Sequence, residues 1–244
     1  MVQLILLPMG KGSGWRIKQS VFERFHKMQS RDWEKIYRER GDLKFKVLPK
    51  IVRAARLFKE KGYEKVLDLG CGTGKHTIYL AMKGFEIYAT DISPTGLKIV
   101  REKAKSLRLN NIHLKQHDMR SIPFPDRFFD VVVCTWAIYH GTLKEIQTTI
   151  NEIYRVLKTG GTVITDFLPV ESESYGLGQE IDKNTFVGAK ESEEDVPHHY
   201  TTREGIKDLF SEFRQLKIRM STKYYPGGKG KQHFSKRLNV LAIK

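Results

Sequence analysis

The segment VLDLGCGTG, residues 66–74, decides the fold class of this 244-residue chain. Its apolar residues predict a buried strand over residues 65–69, which runs directly into three alternating glycines. Glycine has no Cβ, so the backbone there can turn sharply and approach a ligand closely. A helix predicted over residues 74–83 then presents its N-terminus to that ligand. The segment therefore indicates a binding loop between a strand and a helix.

Three kinds of nucleotide-binding loop contain glycines at similar spacings. A phosphate loop needs glycine at position 69 and serine or threonine at 76, where this chain has Leu69 and His76. A dinucleotide fingerprint needs its third glycine at position 75, which is Lys75, so NAD and FAD are disfavoured. The pattern that remains is GxGxG with an acid, Asp68, two residues before the first glycine.

Helical and strand periodicities alternate through the middle of the chain. The predicted strands cover residues 65–69, 86–90, 112–115, 129–135 and 162–167, and the predicted helices between them cover residues 74–83, 94–107 and 143–157. Such alternation is typical of βαβ units, which form a parallel sheet covered by helices on both faces.

The flanking segments predict additions to this sheet. Residues 1–64 form an N-terminal helical extension or lid, with basic amphipathic helices over residues 15–28, 32–40 and 45–61. The main domain spans residues 65–244. Within it, residues 170–200 form an irregular, acidic, lid-like insertion. A helix over residues 202–213 and strands over residues 215–221 and 238–243, joined by a loop, complete the domain.

The motif VLDLGCGTG, within this order of elements, resembles the class I S-adenosylmethionine-dependent methyltransferases, over residues 64–168. The resemblance implies an α/β fold with a Rossmann-like, doubly wound sheet of seven mostly parallel strands and an antiparallel C-terminal hairpin. It also implies S-adenosylmethionine as the cofactor and methyl transfer as the reaction. In that fold the loop over residues 222–237 lies on the cofactor side of the sheet.

The resemblance assigns the cofactor's methionyl part to the backbone of the glycine turn and to the end of the fourth strand. The residues implied are Asp68, Gly70, Cys71, Gly72, Gly74, Thr135 and Trp136. Asp68 holds the loop in this scheme, whereas the other residues border the ligand.

Acids at the ends of the second and third strands are expected to bind the nucleoside part. Asp91 follows the second strand about 20 residues past the turn, where a carboxylate can accept both ribose hydroxyls. Asp118 resembles the acid that recognises the adenine amino group. Ile92 is expected to pack on the adenine, and Met119 to supply an amide. Each acid alone is equally typical of a turn or helix cap.

Reacting groups are expected after the fourth strand, because ligands bind beyond the carboxyl ends of parallel strands. His140 is the first candidate for a general base and Tyr139 the second, although a histidine here is often a helix-start or packing residue. A base is needed only if the acceptor is protonated. The chain lacks the [DNS]PP[YFW] element, which disfavours a DNA amino-methyltransferase.

Substrate contacts are expected from Trp33, His199 and Tyr200. Trp33 and Tyr37 lie one helical turn apart, so they share a face that is either core or a lid over the cofactor, where Tyr37 would contact it. No metal site is predicted. The neighbouring His198 and His199 would point to opposite sides of a strand, and no third ligand has a regular spacing.

The net charge of +15 is concentrated at the two ends. Residues 1–65 carry 17 Lys and Arg against seven Asp and Glu, and residues 201–244 carry 11 against three. Basic ends favour nucleic acid or an acidic substrate, or simply form a solvated helix face. No apolar run reaches the roughly 18 residues of a membrane span. The two cysteines lie in core motifs, which suits a reducing compartment, so we expect a cytoplasmic protein.

Two functions follow from these observations. The first is an enzyme that methylates a small molecule. The alternative is an RNA-directed methyltransferase that uses the basic ends and the basic and aromatic residues of the loop over residues 222–237. No RNA-binding module is recognisable in residues 1–64, which favours the first. A non-catalytic protein that binds the same cofactor is a third possibility.

Overall fold

The computed structural model describes residues 33–188, 193–226 and 232–244, and the helix predicted over residues 15–28 lies outside these ranges. The strands are β1 Lys65–Leu69, β2 Glu86–Asp91, β3 Ile112–Gln116, β4 Phe129–Cys134, β5 Leu157–Pro169, β6 Gln179–Asp182, β7 Thr185–Val187, β8 His198–Thr201, β9 Gln215–Pro226 and β10 Gln232–Ile243. The helices are α1 over residues 33–40, α2 Pro49–Glu60, α3 Lys75–Met82, α4 Pro94–Ser106, α5 Leu143–Val156 and α6 Arg203–Leu209.

Seven strands form the main sheet in the order β3-β2-β1-β4-β5-β10-β9. Strands β1 to β5 are parallel, whereas β10 is antiparallel to β5 and to β9. The order reverses between β1 and β4, which is where ligands bind in open sheets of this kind. The predicted Rossmann-like sheet with an antiparallel C-terminal hairpin is confirmed.

A second group of strands branches from the end of β5. Leu168 and Pro169 pair in parallel with β8, and β8, β7 and β6 follow as antiparallel neighbours. The prediction of an irregular segment over residues 170–200 is therefore wrong. The acidic composition of this segment does not indicate strands. Its few apolar residues, Phe186 and Tyr200 among them, are nevertheless buried in the core.

Three predicted boundaries also differ from the structure. Helix α2 begins at Pro49 rather than at residue 45, because the residue before a proline favours an extended backbone, as Leu48 shows with φ −69° and ψ 133°. Helix α6 ends at Leu209 rather than at residue 213. Most of the predicted loop over residues 222–237 is paired, since β9 and β10 continue to Pro226 and Gln232.

The core lies on both faces of the sheet, and β4 shows how the sequence divides it. Val131 and Val133 pack on one face with residues of α2, α3 and α4, whereas Val132 and Cys134 pack on the other face with residues of α5. Successive side chains on a strand point to opposite faces, so a run of apolar residues fills both layers. This explains the buried, continuously apolar strands of the sequence.

Both cysteines, Cys71 and Cys134, are buried free thiols. Among the described residues, no helix combines the length and apolar character needed to cross a bilayer. The predicted boundary between an N-terminal extension and the main domain, at residue 64, stays a prediction.

Helix α1 is held against the N-terminus of α4 by one carboxylate, that of Glu34. It accepts hydrogen bonds from the Ser93 hydroxyl at 2.6 Å, the Thr95 amide at 3.1 Å and the Thr95 hydroxyl at 2.6 Å. Burial opposes ionisation, but these bonds and one from Arg38 outweigh it and lower the pKa of Glu34 to about 2. A negative charge is also favoured at a helix N-terminus.

We expect Glu34→Gln to release α1 without unfolding the domain. At pH 7 the free energy of local opening of residues 33–40, measured by hydrogen exchange, should fall by about 1–2 kcal/mol, the scale of hydrogen bonds to a charged group. Because the pKa is depressed from 4.5 to about 2 in the folded protein, the stabilisation is complete above pH 4.5 and should disappear as the pH falls toward 2. Glu39→Gln, at an exposed position of the same helix, is the control. Equal exchange in Glu34→Gln and wild type at pH 7 would contradict this role.

Candidate active site at the carboxyl edge of the sheet

The glycine turn after β1 has a backbone that side chains rarely permit. The φ angles of Gly70, Gly72 and Gly74 are 69°, 56° and 84°, all in the left-handed region. A Cβ at Gly70 would lie 2.7 Å from the Cβ of Ala137, and one at Gly72 would lie 2.7 Å from the hydroxyl oxygen of Tyr37. A side chain at either position would collide with a neighbouring residue, so the turn depends on glycine, and its backbone from Gly70 to Gly72 lines the larger cavity.

Buried groups beneath the turn hold it in place. The Asp68 carboxylate accepts a hydrogen bond from the Thr77 hydroxyl at 2.6 Å, and burial raises the pKa of Asp68 to about 6. The Cys71 amide donates to the Thr90 carbonyl at 2.9 Å, and burial raises the pKa of the Cys71 thiol well above 9.0. These contacts place Asp68 and Cys71 where they support the loop, and the thiol stays protonated.

Asp91, at the end of β2, connects the second strand to the turn. Its carboxylate accepts hydrogen bonds from the Gly72 amide at 2.8 Å and the Ser93 amide at 2.9 Å. Burial raises its pKa above the ordinary value, although these amides favour the charged form. A carboxylate has about four acceptor positions, so both oxygens keep capacity for a further donor.

Asp118, Met119 and Ile92 line the same narrow cleft as Asp91. The Asp118 carboxylate accepts hydrogen bonds from the Arg120 amide at 2.9 Å and from its guanidinium at 2.8 Å. Arg120 also forms an ion pair with the buried Glu145. The sequence analysis missed Arg120 and Glu145, because nothing in their spacing indicates that an arginine of this loop reaches the start of α5.

The end of β4 carries the most unusual backbone of the site. Trp136 has a left-handed φ of 60°, and its amide donates to the Asp166 carboxylate at 3.0 Å. Asp166 is buried and forms an ion pair with Lys50 of α2. The Lys75 ammonium lies 3.4 Å from the centroid of the Trp136 ring, and burial lowers the pKa of Lys75 to about 8. Three residues that the sequence analysis did not identify therefore position Trp136.

Tyr139 and His140 follow directly and face different neighbours. Tyr139 is buried, with the Arg237 guanidinium carbon 5.6 Å from its ring centroid. Burial raises the pKa of Tyr139 well above 10.0, against the opposing effect of Arg237. The His140 ring is half-buried, 5.0 Å from the ring of Trp33 in α1. The structure thus brings both candidate catalytic residues to the carboxyl edge.

Substrate contact by His199 and Tyr200 stays a prediction, and the His199 amide donates a hydrogen bond to the Tyr139 carbonyl at 2.9 Å. His199 is buried with its Nδ1 at 2.8 Å from the Thr185 hydroxyl, and burial lowers its pKa to about 4. The Tyr200 hydroxyl donates to the Ser174 carbonyl at 2.9 Å. Neither residue lines a cavity at the carboxyl edge. Their positions in β8 place them in the packing beneath the site.

Two cavities open at this edge. The narrow cleft contains Asp91 and Asp118, and the larger cavity, of about 880 Å³, lies between α2 and the β9–β10 hairpin and includes Thr135 in its lining. Five residues line both cavities: Trp33, Tyr37, Gly70, Trp136 and His140. Ligands in the two cavities would therefore meet beside the glycine turn and His140.

Comparison with known proteins shows which proteins this chain is similar to. A family model described as a methyltransferase domain matches residues 66–161. The putative methyltransferase YqeM of Bacillus subtilis is 33% identical over 152 residues, 62% of this chain and 57% of that protein. The demethylmenaquinone methyltransferase of Thermus thermophilus is 34% identical over 128 residues, 51% of this chain and 57% of that protein. The matches thus span less than two thirds of these relatives.

Solved structures agree at the level of the fold. An S-adenosylmethionine-dependent methyltransferase of Methanosarcina mazei superposes with a TM-score of 0.62 at 21% identity, covering 82% of this chain and 99% of that one. Magnesium protoporphyrin IX methyltransferase of Synechocystis, solved with bound S-adenosylhomocysteine, has a TM-score of 0.56 at 18% identity. The match covers 93% of this chain and 100% of that one. The match shows a methyltransferase domain over residues 66–161, and the glycine turn and the sheet order agree with the fold of solved S-adenosylmethionine-dependent methyltransferases, which supports S-adenosylmethionine as the cofactor.

Proposed function

We propose that this protein transfers a methyl group from S-adenosylmethionine to a small amphipathic acceptor that bears an anionic group. The observation that carries the proposal is the meeting of two cavities at Gly70, Trp136 and His140. The narrow cleft contains Gly70 and the strand-end acids, and the larger cavity contains the rest of the turn from Gly70 to Gly72 and has room for a second molecule beside it. Small-molecule sites usually have volumes of about 300–1,000 Å³, and 880 Å³ lies in that range.

The cofactor, when bound, supplies a methyl group on a positively charged sulfur. The residues proposed to hold it line the narrow cleft and the adjoining end of the larger cavity at the glycine turn. The Gly70 to Gly72 backbone would contact the methionyl part, Asp91 the ribose, and Asp118 with Met119 the adenine. Arg120 neutralises Asp118 without using every acceptor position, so the carboxylate can still accept from an amino group.

The acceptor cavity has two chemically different walls. Its apolar wall comes from α1, α2 and the segment between them, with Ile36, Phe45 and Leu57 among its residues. The opposite wall, from the β9–β10 hairpin, contributes four cations, and the helices α1, α2 and α3 contribute four more. Eight Lys and Arg and three Asp and Glu line the cavity in all, and the cations are Arg40, Lys50, Arg53, Lys75, Lys217, Arg219, Lys223 and Arg237. An acceptor with an apolar body and a carboxylate or phosphate group matches both walls.

Strand β9 explains how the cationic wall forms. Three cations of this strand share one face, because they lie an even number of residues apart: Lys217, Arg219 and Lys223. Their direct partners on β10 are Leu241, Asn239 and Ser235, all of which are uncharged. Lys217 and Arg219, whose direct strand partners are uncharged, are suited to an anionic ligand.

His140 and Tyr139 would serve different purposes at the junction. Because its pKa is raised, the Tyr139 phenol stays protonated at neutral pH and cannot serve as the base. We therefore propose His140 as the base for an acceptor that must lose a proton. The remaining contribution is positional, since holding the acceptor atom in line with the methyl group lowers the barrier by itself.

An RNA acceptor is the alternative that the basic ends suggest. Lys217, Arg219, Lys223 and Arg237 of β9 and β10 line a cavity, and one relative is named as a methyltransferase of demethylmenaquinone, a small molecule. Incubation with labelled S-adenosylmethionine and either mixed tRNA and rRNA or a panel of small carboxylates and phosphates distinguishes the two. Methyl incorporation into RNA, with steeply salt-dependent binding, would overturn the small-molecule proposal.

The cofactor assignment is tested by Asp91→Asn, which keeps the shape of the side chain and removes its charge. Binding of S-adenosylhomocysteine, measured by calorimetry, should weaken by about 1.5–3 kcal/mol, or roughly tenfold to more than a hundredfold. Asp126→Asn, at an exposed carboxylate remote from both cavities, is the matched control. An affinity within about threefold of wild type would remove Asp91 from the cofactor site.

The position of α1 above the turn generates a separate prediction. Tyr37 lies against Gly72 and Trp33 against His140, so a bound cofactor should order α1. Hydrogen exchange at residues 33–40 should slow on adding S-adenosylhomocysteine, because lid segments belong to the less stable parts of a fold. Protection of residues 70–74 with no change at residues 33–40 would mean that α1 is not a lid.

The cationic wall is tested by Arg219→Ala with the acceptors that the panel identifies. For an anionic acceptor, KM should rise tenfold or more and kcat should change little, since a ground-state contact is lost. A neutral analogue should be unaffected. Arg214→Ala, an exposed arginine outside both cavities, serves as the control. Equal changes for anionic and neutral acceptors would argue against recognition of charge by this wall.

A further inference from the structure

Three side chains with metal-ligating atoms converge beside the acceptor cavity. They are His140, after β4, Glu193, before β8, and His198, at the start of β8. One ligating atom of each lies within 4.8 Å of those of the other two. The sequence analysis considered only the adjacent His198 and His199, whereas the residues that meet are up to 58 positions apart in the chain.

The orientation of His198 is defined by its neighbours. Its Nδ1 lies 2.9 Å from the Val196 carbonyl oxygen, and its Nε2 lies 2.7 Å from the Glu193 carboxylate. A carbonyl only accepts, so Nδ1 carries a hydrogen and a neutral ring presents the lone pair of Nε2 to Glu193. The Nε2 lone pair and the Glu193 carboxylate oxygen would repel each other at this distance. A cation, either a proton or a metal ion, must therefore lie between them. A histidine whose other ring nitrogen donates to a carbonyl is typical of metal sites.

His140 completes the group from the side of the cofactor. Its ring centroid lies 5.0 Å from that of His198, with the planes nearly perpendicular at 82°. His140 and Glu193 line the acceptor cavity, whereas His198 is buried behind them. Any remaining coordination position would therefore face the acceptor, at the junction with the cofactor cleft.

We propose that His140, Glu193 and His198 form a binding site for a divalent transition-metal ion such as Zn²⁺. Two imidazoles and one carboxylate are a donor set that suits Zn²⁺, Mn²⁺, Co²⁺ and Fe²⁺, whereas Mg²⁺ and Ca²⁺ prefer oxygen ligands. Zinc lies about 2.0–2.2 Å from each ligand atom, so neighbouring ligand atoms are roughly 3 Å or more apart. The distance between the His198 and Glu193 ligand atoms would therefore increase slightly on binding.

The ion would present an open position to an oxygen atom of the acceptor. This role rests on the proposed function, but the binding of the metal does not. His140 would then act as a ligand that positions the acceptor rather than as a base. The proton-sharing pair of His198 and Glu193, with no metal, is the competing arrangement.

The 244-residue protein, treated with a chelator and dialysed, provides the test. Calorimetry with Zn²⁺, and the visible absorption of added Co²⁺, should show one ion bound per chain with intense bands typical of low coordination number. Glu193→Gln and His140→Ala should each weaken binding roughly tenfold or more, the least that disturbing a metal site typically costs. His113→Gln, on β3 and half-exposed, should bind as wild type does.

Measuring S-adenosylhomocysteine binding and far-UV circular dichroism on the same samples separates the possible failures. A folded wild-type protein that binds S-adenosylhomocysteine but no Zn²⁺, Co²⁺ or Mn²⁺ overturns the metal site and leaves the proposed function standing. Metal binding that is equal in wild type, Glu193→Gln and His140→Ala overturns the site as well. Metal bound at these residues in a protein that transfers no methyl group supports the site and contradicts the proposed function.

Discussion

The left-handed backbone of the turn between β1 and α3 is the constraint on which the rest of the site depends. Gly70 and Gly72 have φ angles of 69° and 56°, and neighbouring groups already occupy the space that a Cβ would need. Asp91 binds the Gly72 amide and Asp68 binds Thr77 of the following helix, so the turn is tied to both neighbouring elements. Because these groups are buried, small changes in the turn would expose or unpair a carboxylate.

A second set of contacts fixes the other side of the same edge. The buried Asp166 carboxylate of β5 accepts a hydrogen bond from the Trp136 amide and forms an ion pair with the Lys50 ammonium. This one acid therefore joins β4, β5 and α2. The left-handed conformation of Trp136 costs free energy, which these contacts offset. The result is an aromatic ring that separates the cofactor cleft from the acceptor cavity and borders both.

The acceptor cavity is assembled from the parts of the chain that flank the parallel sheet. Helices α1 and α2 precede the sheet and supply apolar residues and three cations, and the C-terminal hairpin supplies four further cations. The parallel strands thus provide the ligand-binding edge common to such folds, whereas the additions determine what is placed against it. This division explains how one scaffold can serve many acceptors.

Sequence alone determined the order of the main strands, the glycine turn, and the placement of Asp91 and Asp118 at strand ends. These features depend on local spacing, since strand and helix periods and glycine positions are read within short windows. Only the tertiary structure brought Glu193 to His140 and His198, Arg120 to Glu145, and Lys50 to Asp166. Such pairs join segments far apart in the chain and have no local periodicity. Packing of β8 and of α2 against the sheet, rather than any motif, decided which side chains meet.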